Sequence, residues 1–304
     1  MSWQRPLLNG WLRRVEKPRL AHATSHDSLR RRLERNARFF FRGPRDVTQS
    51  WRDLGDGAAL WLEPAGADRD RVLLYFHGGA YIFGSPRTHA AMVAVLAHAV
   101  RACAVLPTYP LAPEHAFPAA LDRAEDAYHA LLARGVRPEN IMLGGDSAGG
   151  GLALALLARL IRTGVVLPGG LFAFSPLTDL TFSGASLHVN AARDVMLPAL
   201  RVSEMAGHYL AGTAPDDPEA SPLFADFTGA PPVWITVGDT EILLDDSRRI
   251  VGRMRAQGVP VQMHITCDLP HVWPMFHNIL PEARATLNDL AGWINSRWDA
   301  APGS

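Results

Sequence analysis

From about residue 58 onward, short apolar runs of strand length alternate with longer stretches whose apolar residues recur every three or four positions. This alternation is the feature that narrows the fold most. Strands buried on both faces and joined through helices belong to a mainly parallel sheet covered on both sides. Strands are expected over Ala59–Leu62, Val72–Phe76, Cys103–Pro107, Ile141–Gly144, Leu171–Phe174, Val233–Val237 and Val261–Thr266. Helices are expected over His89–Val100, Ala119–Leu132, Ala148–Ile161, Leu243–Ala256 and Glu282–Trp293, several bounded by Pro or Gly. The rhythm fails in residues 1–50 and again in 178–226, where Ala199–Leu210 reads as an inserted helix ahead of the Pro/Asp-rich Ala214–Ala220. An insertion at the carboxyl edge of such a sheet lies over its crevice. The expected organisation is therefore a helical cap built from 1–50 and 178–226 on a core built from 51–177 and 227–304.

Lys+Arg and Asp+Glu both number 30, so no global field draws in nucleic acid or a highly charged partner. The stretch between Arg5 and Arg45 is rich in arginine, but Asp27, Glu34 and Asp46 are interleaved, and Leu29, Leu33, Phe39 and Phe40 read as the covering side of a lid helix. Arg5, Arg13, Arg14 and Glu16 interrupt every candidate secretory core, and no stretch is long enough to span a bilayer, so a cytoplasmic protein is expected. Cys103 and Cys267 are not in a C-x-x-C pair and read as small buried apolar residues.

Gly145-Asp146-Ser147-Ala148-Gly149 follows an apolar strand and opens a helix of small residues. This strand–turn–helix setting is what a G-x-S-x-G nucleophile elbow requires, with Ser147 projecting into the crevice. A phosphate-binding loop is the rival reading of these glycines, but it needs a lysine in the motif, and the only lysine is Lys17. Upstream, Val72–Phe76 runs into His77-Gly78-Gly79-Ala80-Tyr81. Main-chain amides stabilise a developing oxyanion, and Gly78, Gly79 and Ala148 are the expected donors. His77 is read as shaping that loop.

With these motifs the chain resembles the bacterial hormone-sensitive-lipase-like esterases from about residue 70 to 295. The likeness rests on His77-Gly78-Gly79, Tyr109–Glu114 with the following His115–Ala120, Gly145–Gly149, Ser175-Pro176-Leu177, Ser221-Pro222-Leu223 and His271-Val272-Trp273. Ala80 stands in the fourth place of the usual H-G-G-G, and Pro110 stands where the family's Tyr-Arg-Leu-Ala-Pro-Glu carries arginine. The resemblance implies an α/β-hydrolase fold with a helical cap, a small-molecule ester substrate with a short acyl chain, no metal and no cofactor. A homodimer is common among similar proteins.

The triad order in this fold is serine, acid, histidine, so the base must lie late. Of His264, His271 and His277, His271 leaves the final strand in a loop and carries the family's motif. For the acid, anchoring on Leu243-Leu244-Asp245-Asp246 favours Glu241, whereas anchoring on the end of strand Val233–Val237 favours Asp239. Asp245 and Asp246 read as N-terminal charges of the next helix. Tyr81, Phe83 and Asp146 are expected to contact substrate, with Phe39, Phe40 and Met196 as further lining, and acyl chains up to about C8 fit a compact cap. Activity is expected to rise near the ordinary imidazole pKa of about 6.5. Amide, lactone or natural-product deacetylase chemistry uses the same triad, and a non-catalytic small-ligand receptor could share the scaffold.

Overall fold

The computed structural model describes residues 2–300. Its strands are β1 (Val47–Leu54), β2 (Gly57–Pro64), β3 (Asp68–Phe76), β4 (Ala102–Pro107), β5 (Ile141–Asp146), β6 (Gly170–Phe174), β7 (Val233–Gly238) and β8 (Val261–Thr266). They form one sheet in the order β1-β2-β4-β3-β5-β6-β7-β8. The β1–β2 and β2–β4 pairings are antiparallel, and every later pairing is parallel. This is the α/β-hydrolase arrangement.

The helices are α1 (Gln4–Trp11), α2 (Lys17–Ala21), α3 (His26–Phe40), α4 (Pro86–Val100), α5 (Ala119–Ala133), α6 (Ala148–Thr163), α7 (Ser186–Val189), α8 (Val202–Leu210), α9 (Leu244–Ala256) and α10 (Pro281–Trp298). A π-helical turn, Leu12–Glu16, joins α1 to α2. None of the described helices is long and apolar enough to cross a membrane.

The period of two along each strand sorts its side chains into two cores. Val72, Leu74 and Phe76 of β3, with Ile141 and Leu143 of β5 and Val233 and Ile235 of β7, pack under α5, α6 and α9. The alternate residues Leu73, Tyr75, Met142 and Trp234 pack under α4 and α10. Helix α4 starts three residues earlier than the apolar pattern suggested, because Ser85 and Thr88 form a capping box around Pro86.

Strand β1 is absent from the sequence expectation. Only Val47 and Leu54 of its eight residues are buried, so this edge strand offers no apolar run to read. The sheet thus begins inside the stretch 1–50. Cys103 is buried as expected, but Cys267 lies in the exposed turn after β8.

A third apolar cluster joins Leu8 and Leu12 of the N-terminal segment to Val195 and to Trp273, Phe276 and Leu280 near the sheet's carboxyl edge. Polar ties bind the same segment to the inserted one. Lys17 Nζ donates to the carbonyls of Ala191 (2.7 Å) and Asp194 (2.6 Å). Arg201 Nη1 donates to those of Ala21 (2.8 Å) and Ala23 (3.1 Å). The two stretches that broke the sequence rhythm are held to each other over one edge of the sheet.

Candidate active site

Strand β5 ends at Asp146, and Ser147 turns the chain into α6 with φ 53° and ψ −123°. Such backbone costs on the order of 1–3 kcal/mol and persists only when its surroundings fix it. Here the Ser147 amide donates to the Phe174 carbonyl (2.9 Å), and the Ser147 carbonyl accepts from the amides of Leu177 (2.9 Å) and Gly151 (3.0 Å). The flanking glycines are steric necessities. A Cβ at 145 would sit 2.3 Å from the Gly149 carbonyl oxygen, and one at 149 would sit 2.1 Å from that of Phe76.

The loops after β7 and β8 bring Glu241 and His271 together, with His271 Nδ1 2.6 Å from Glu241 Oε2. The other carboxylate oxygen, Oε1, accepts from the Gly238 amide (2.6 Å) and from Ser175 Oγ (2.7 Å). Both side chains are buried. Burial works against charge on His271, but the Glu241 carboxylate outweighs it and holds the imidazole above its ordinary pKa. Asp239 is turned elsewhere: its Oδ1 accepts from the Asp268 amide (2.7 Å), and Arg193 lies 4.0 Å from Oδ2.

Ser147 and His271 line one cavity together with Gly78, Gly79 and Ala80. Tyr81, Phe83, Leu180, Met196 and Leu197 make much of the apolar wall, and Leu20 and Leu33 close it from the N-terminal helices. A buried histidine–carboxylate pair and a strained serine facing one apolar cavity is the constellation of a serine hydrolase.

The alpha/beta hydrolase fold family matches residues 73–275. An acetyl-hydrolase of Streptomyces hygroscopicus is 41% identical over 79% of this chain and 79% of its own length. An esterase from the bacterial hormone-sensitive lipase (HSL) family superposes with a TM-score of 0.92 at 36% identity, covering 98% of this chain and 99% of that one. The crystal structure of EstE5 soaked with p-nitrophenyl butyrate gives 0.93 at 35% identity over 99% of this chain and all of its own. The chain belongs to the bacterial hormone-sensitive lipase family of α/β-hydrolases.

Two site expectations for this HSL-family hydrolase need correction. Asp146 is expected to contact substrate; it does line the cavity, but its carboxylate is committed internally. Oδ1 accepts from Tyr75 Oη (2.7 Å) and from the Gly78 amide (3.0 Å), and Oδ2 lies 3.2 Å from His89 Nε2. Burial resists the charge on both Asp146 and His89. Their mutual attraction prevails, lowering the carboxyl pKa and raising that of the imidazole. The same bond corrects Gly78, whose N–H is spent on Asp146 and does not face the cavity as a free donor. Among the described residues the amides of Gly79 and Ala80 have no such acceptor, and the Ala148 amide, as the first of α6, has no intrahelical one. His77 shapes the loop as expected: its Nδ1 lies 2.9 Å from the Gly78 carbonyl, and Tyr109 Oη donates to the His77 carbonyl (2.6 Å). Burial, with His89 close by, pushes its pKa down to about 3, so it is neutral.

Tyr81, Phe83 and Met196 line the cavity of the HSL-family site, but Phe39 and Phe40 do not; they are 71% and 60% exposed. Tyr81 stacks on Tyr209 of α8 with ring centroids 3.8 Å apart, tying the glycine loop to the inserted segment. Sequence reasoning missed Asp194. This buried carboxylate accepts from the Met196 and Leu197 amides at Oδ1 (2.8 Å each) and from the Ile242 amide at Oδ2 (3.0 Å), linking two cavity-wall residues to the neighbour of Glu241. An aspartate two residues before apolar wall positions is an Asx-turn signal, the one hint available in the sequence. Asp245 and Asp246 do sit in the first turn of α9, but their carboxylates reach sideways, Asp246 to the Thr178 amide (2.7 Å) and Asp245 to the Ser186 amide (2.8 Å).

Proposed function

We propose that this protein hydrolyses short- to medium-chain carboxylic esters through an acyl-enzyme on Ser147, with His271 as base and Glu241 as the acid that orients it. The observation that carries the reading is the 2.6 Å contact between His271 Nδ1 and Glu241 Oε2 beside the strained serine. With Nδ1–H donated to Glu241, the lone pair of Nε2 is left to take the serine proton. Ser147 Oγ attacks the ester carbonyl, and the oxyanion is held by the Gly79, Ala80 and Ala148 amides. The imidazolium, stabilised by Glu241, then protonates the departing alcohol. Water enters, loses its proton to His271, and releases the acid.

Helices α1–α3 and the inserted α7–α8 serve in this reading as a cap. The apolar wall of Leu20, Leu33, Met196 and Leu197 supports an acyl chain no longer than about C8. The acetyl in the name of one relative and the butyrate ester with which another was soaked point the same way. A cytoplasmic location and a homodimer belong to the proposal as well, tested by cell fractionation and by sedimentation velocity.

The decisive experiment is a series of nitrophenyl esters from C2 to C12 on wild type and Ser147→Ala. The expected result is a burst of nitrophenol stoichiometric with wild-type enzyme, fastest turnover below C8, and neither burst nor turnover in the variant. A full burst from Ser147→Ala, or faster hydrolysis of long-chain emulsions than of butyrate, would overturn it.

A further inference from the structure

Helix α3 has two unlike faces. Leu29, Leu33 and Ala37 recur every fourth residue toward the protein interior, and Leu33 reaches the cavity. On the opposite side, Arg31, Arg35 and Arg38 recur at the same helical spacing and are exposed. No carboxylate among the described residues pairs with any of the three, whereas Arg30 and Arg32 on the flanks are tied to Glu114 and Glu16. The outward stripe is thus a row of unneutralised guanidiniums.

This stripe is part of a wider asymmetry. Residues 1–45 hold twelve Lys+Arg against three Asp+Glu, although the whole chain is neutral. The same segment exposes apolar bulk: Trp3 at 73% and Leu7 at 65%, with Trp11 following one turn later on α1, and Phe39 and Phe40 at the end of α3. Phe39 and Phe40 follow Arg38 directly, so the exposed end of α3 sets two aromatic rings next to an unpaired arginine.

We infer that residues 2–45 form a docking surface for an anionic phospholipid bilayer, laid flat on it without crossing it. Guanidiniums attract phosphate headgroups, and indole and phenyl rings insert at the level of the headgroup–acyl boundary. The charge complementarity is specific to an anionic surface, and the exposed aliphatic and aromatic side chains favour a lipid interior over the polar groove of a duplex. Leu33 on the inner face of α3 lines the cavity, so docking through α3 sets one wall of the site against the lipid.

The test uses the full chain and vesicles of phosphatidylcholine, with or without 40 mol% phosphatidylglycerol. Wild type is expected to co-sediment with the anionic vesicles at low salt, to be released by 0.5 M NaCl, and to ignore the neutral ones. Arg31→Gln/Arg35→Gln/Arg38→Gln is expected to lower the partition coefficient roughly 100-fold, since each surface cation contributes about fivefold. Trp3→Ser/Trp11→Ser should weaken binding in a manner that low salt does not restore. Turnover of dissolved p-nitrophenyl butyrate, measured on the same samples, should be unchanged in both variants. Failure of that turnover in wild type would strike the hydrolase reading and leave docking to the vesicle data. Absence of vesicle binding by an active wild type, equal binding to neutral vesicles, or an undiminished triple variant would overturn the inference, as would tighter binding to a DNA duplex than to the vesicles.

Discussion

Replacing Glu241 with glutamine changes one atom, and the surroundings dictate what that atom does. Oε1 of Glu241 accepts from the Gly238 amide and from Ser175 Oγ, while Oε2 faces His271 Nδ1. The Gly238 N–H can only donate, so the glutamine must keep its carbonyl oxygen there and point its NH2 at His271. Facing a donor, Nδ1 becomes an acceptor and the imidazole proton moves to Nε2, the nitrogen that receives the Ser147 proton in the proposed mechanism. The alternative flip rescues the tautomer but sets donor against donor at Gly238, at about 1–3 kcal/mol for the unsatisfied amide. In either orientation the imidazolium formed during the reaction loses its charged hydrogen bond, another ~1.5–3 kcal/mol. Together these predict a fall in kcat/KM of roughly 10²–10⁴ at 1.36 kcal/mol per tenfold. The assay is p-nitrophenyl butyrate hydrolysis at pH 8 with a thermal melt on the same samples, and Asp239→Asn as the comparator, expected near wild type. A folded Glu241→Gln enzyme within tenfold of wild type would refute the tautomer argument.

Three further outcomes follow from the geometry. In the proposed mechanism His271 acts in its neutral form, and since its pKa is raised, kcat/KM should be lost as pH falls through a midpoint above the ordinary 6.5, and Glu241→Gln should move that midpoint down; a wild-type midpoint below 6 contradicts the coupling. Gly79 has φ 125°, and a Cβ there would lie 2.0 Å from the Phe83 carbonyl oxygen, so Gly79→Ala should displace the amide donors and reduce kcat roughly 10²–10³-fold, with full activity as the refuting result. Buried Arg159 binds Asp122, Glu125 and Glu219 at once; Arg159→Ala leaves these carboxylates facing one another and should lower urea-unfolding stability by about 3 kcal/mol, whereas a loss under 1 kcal/mol would show the network to be idle.

The sheet was legible wherever a strand is buried on both faces, because each such strand appears as an apolar run between turn residues. Strand β1 was not legible, since its role as an edge leaves Thr48 to Asp53 largely outside the core. Ser147 and His271 could be read because local backbone demands write themselves as glycine spacing and as a loop after the last strand. The choice between Glu241 and Asp239 could not, for it depends on which way two side chains of one turn point. Gly78 shows the same limit. Its sequence setting promises an amide donor, yet Asp146, 68 residues later, claims that hydrogen. Phe39 and Phe40 look like lining by composition but end on the outside of α3.

Lys17 bridges the N-terminal and inserted segments and is the only lysine in the chain. Burial lowers its pKa, yet both carbonyl partners hold the ammonium in place. An acylating reagent selective for amines therefore meets a single side-chain target, and that target, half-buried and tied by two carbonyls, reacts faster when the two segments part. The rate at which an isotopic label enters at Lys17, followed by mass spectrometry during turnover, becomes a clock for the breathing of the enzyme's roof.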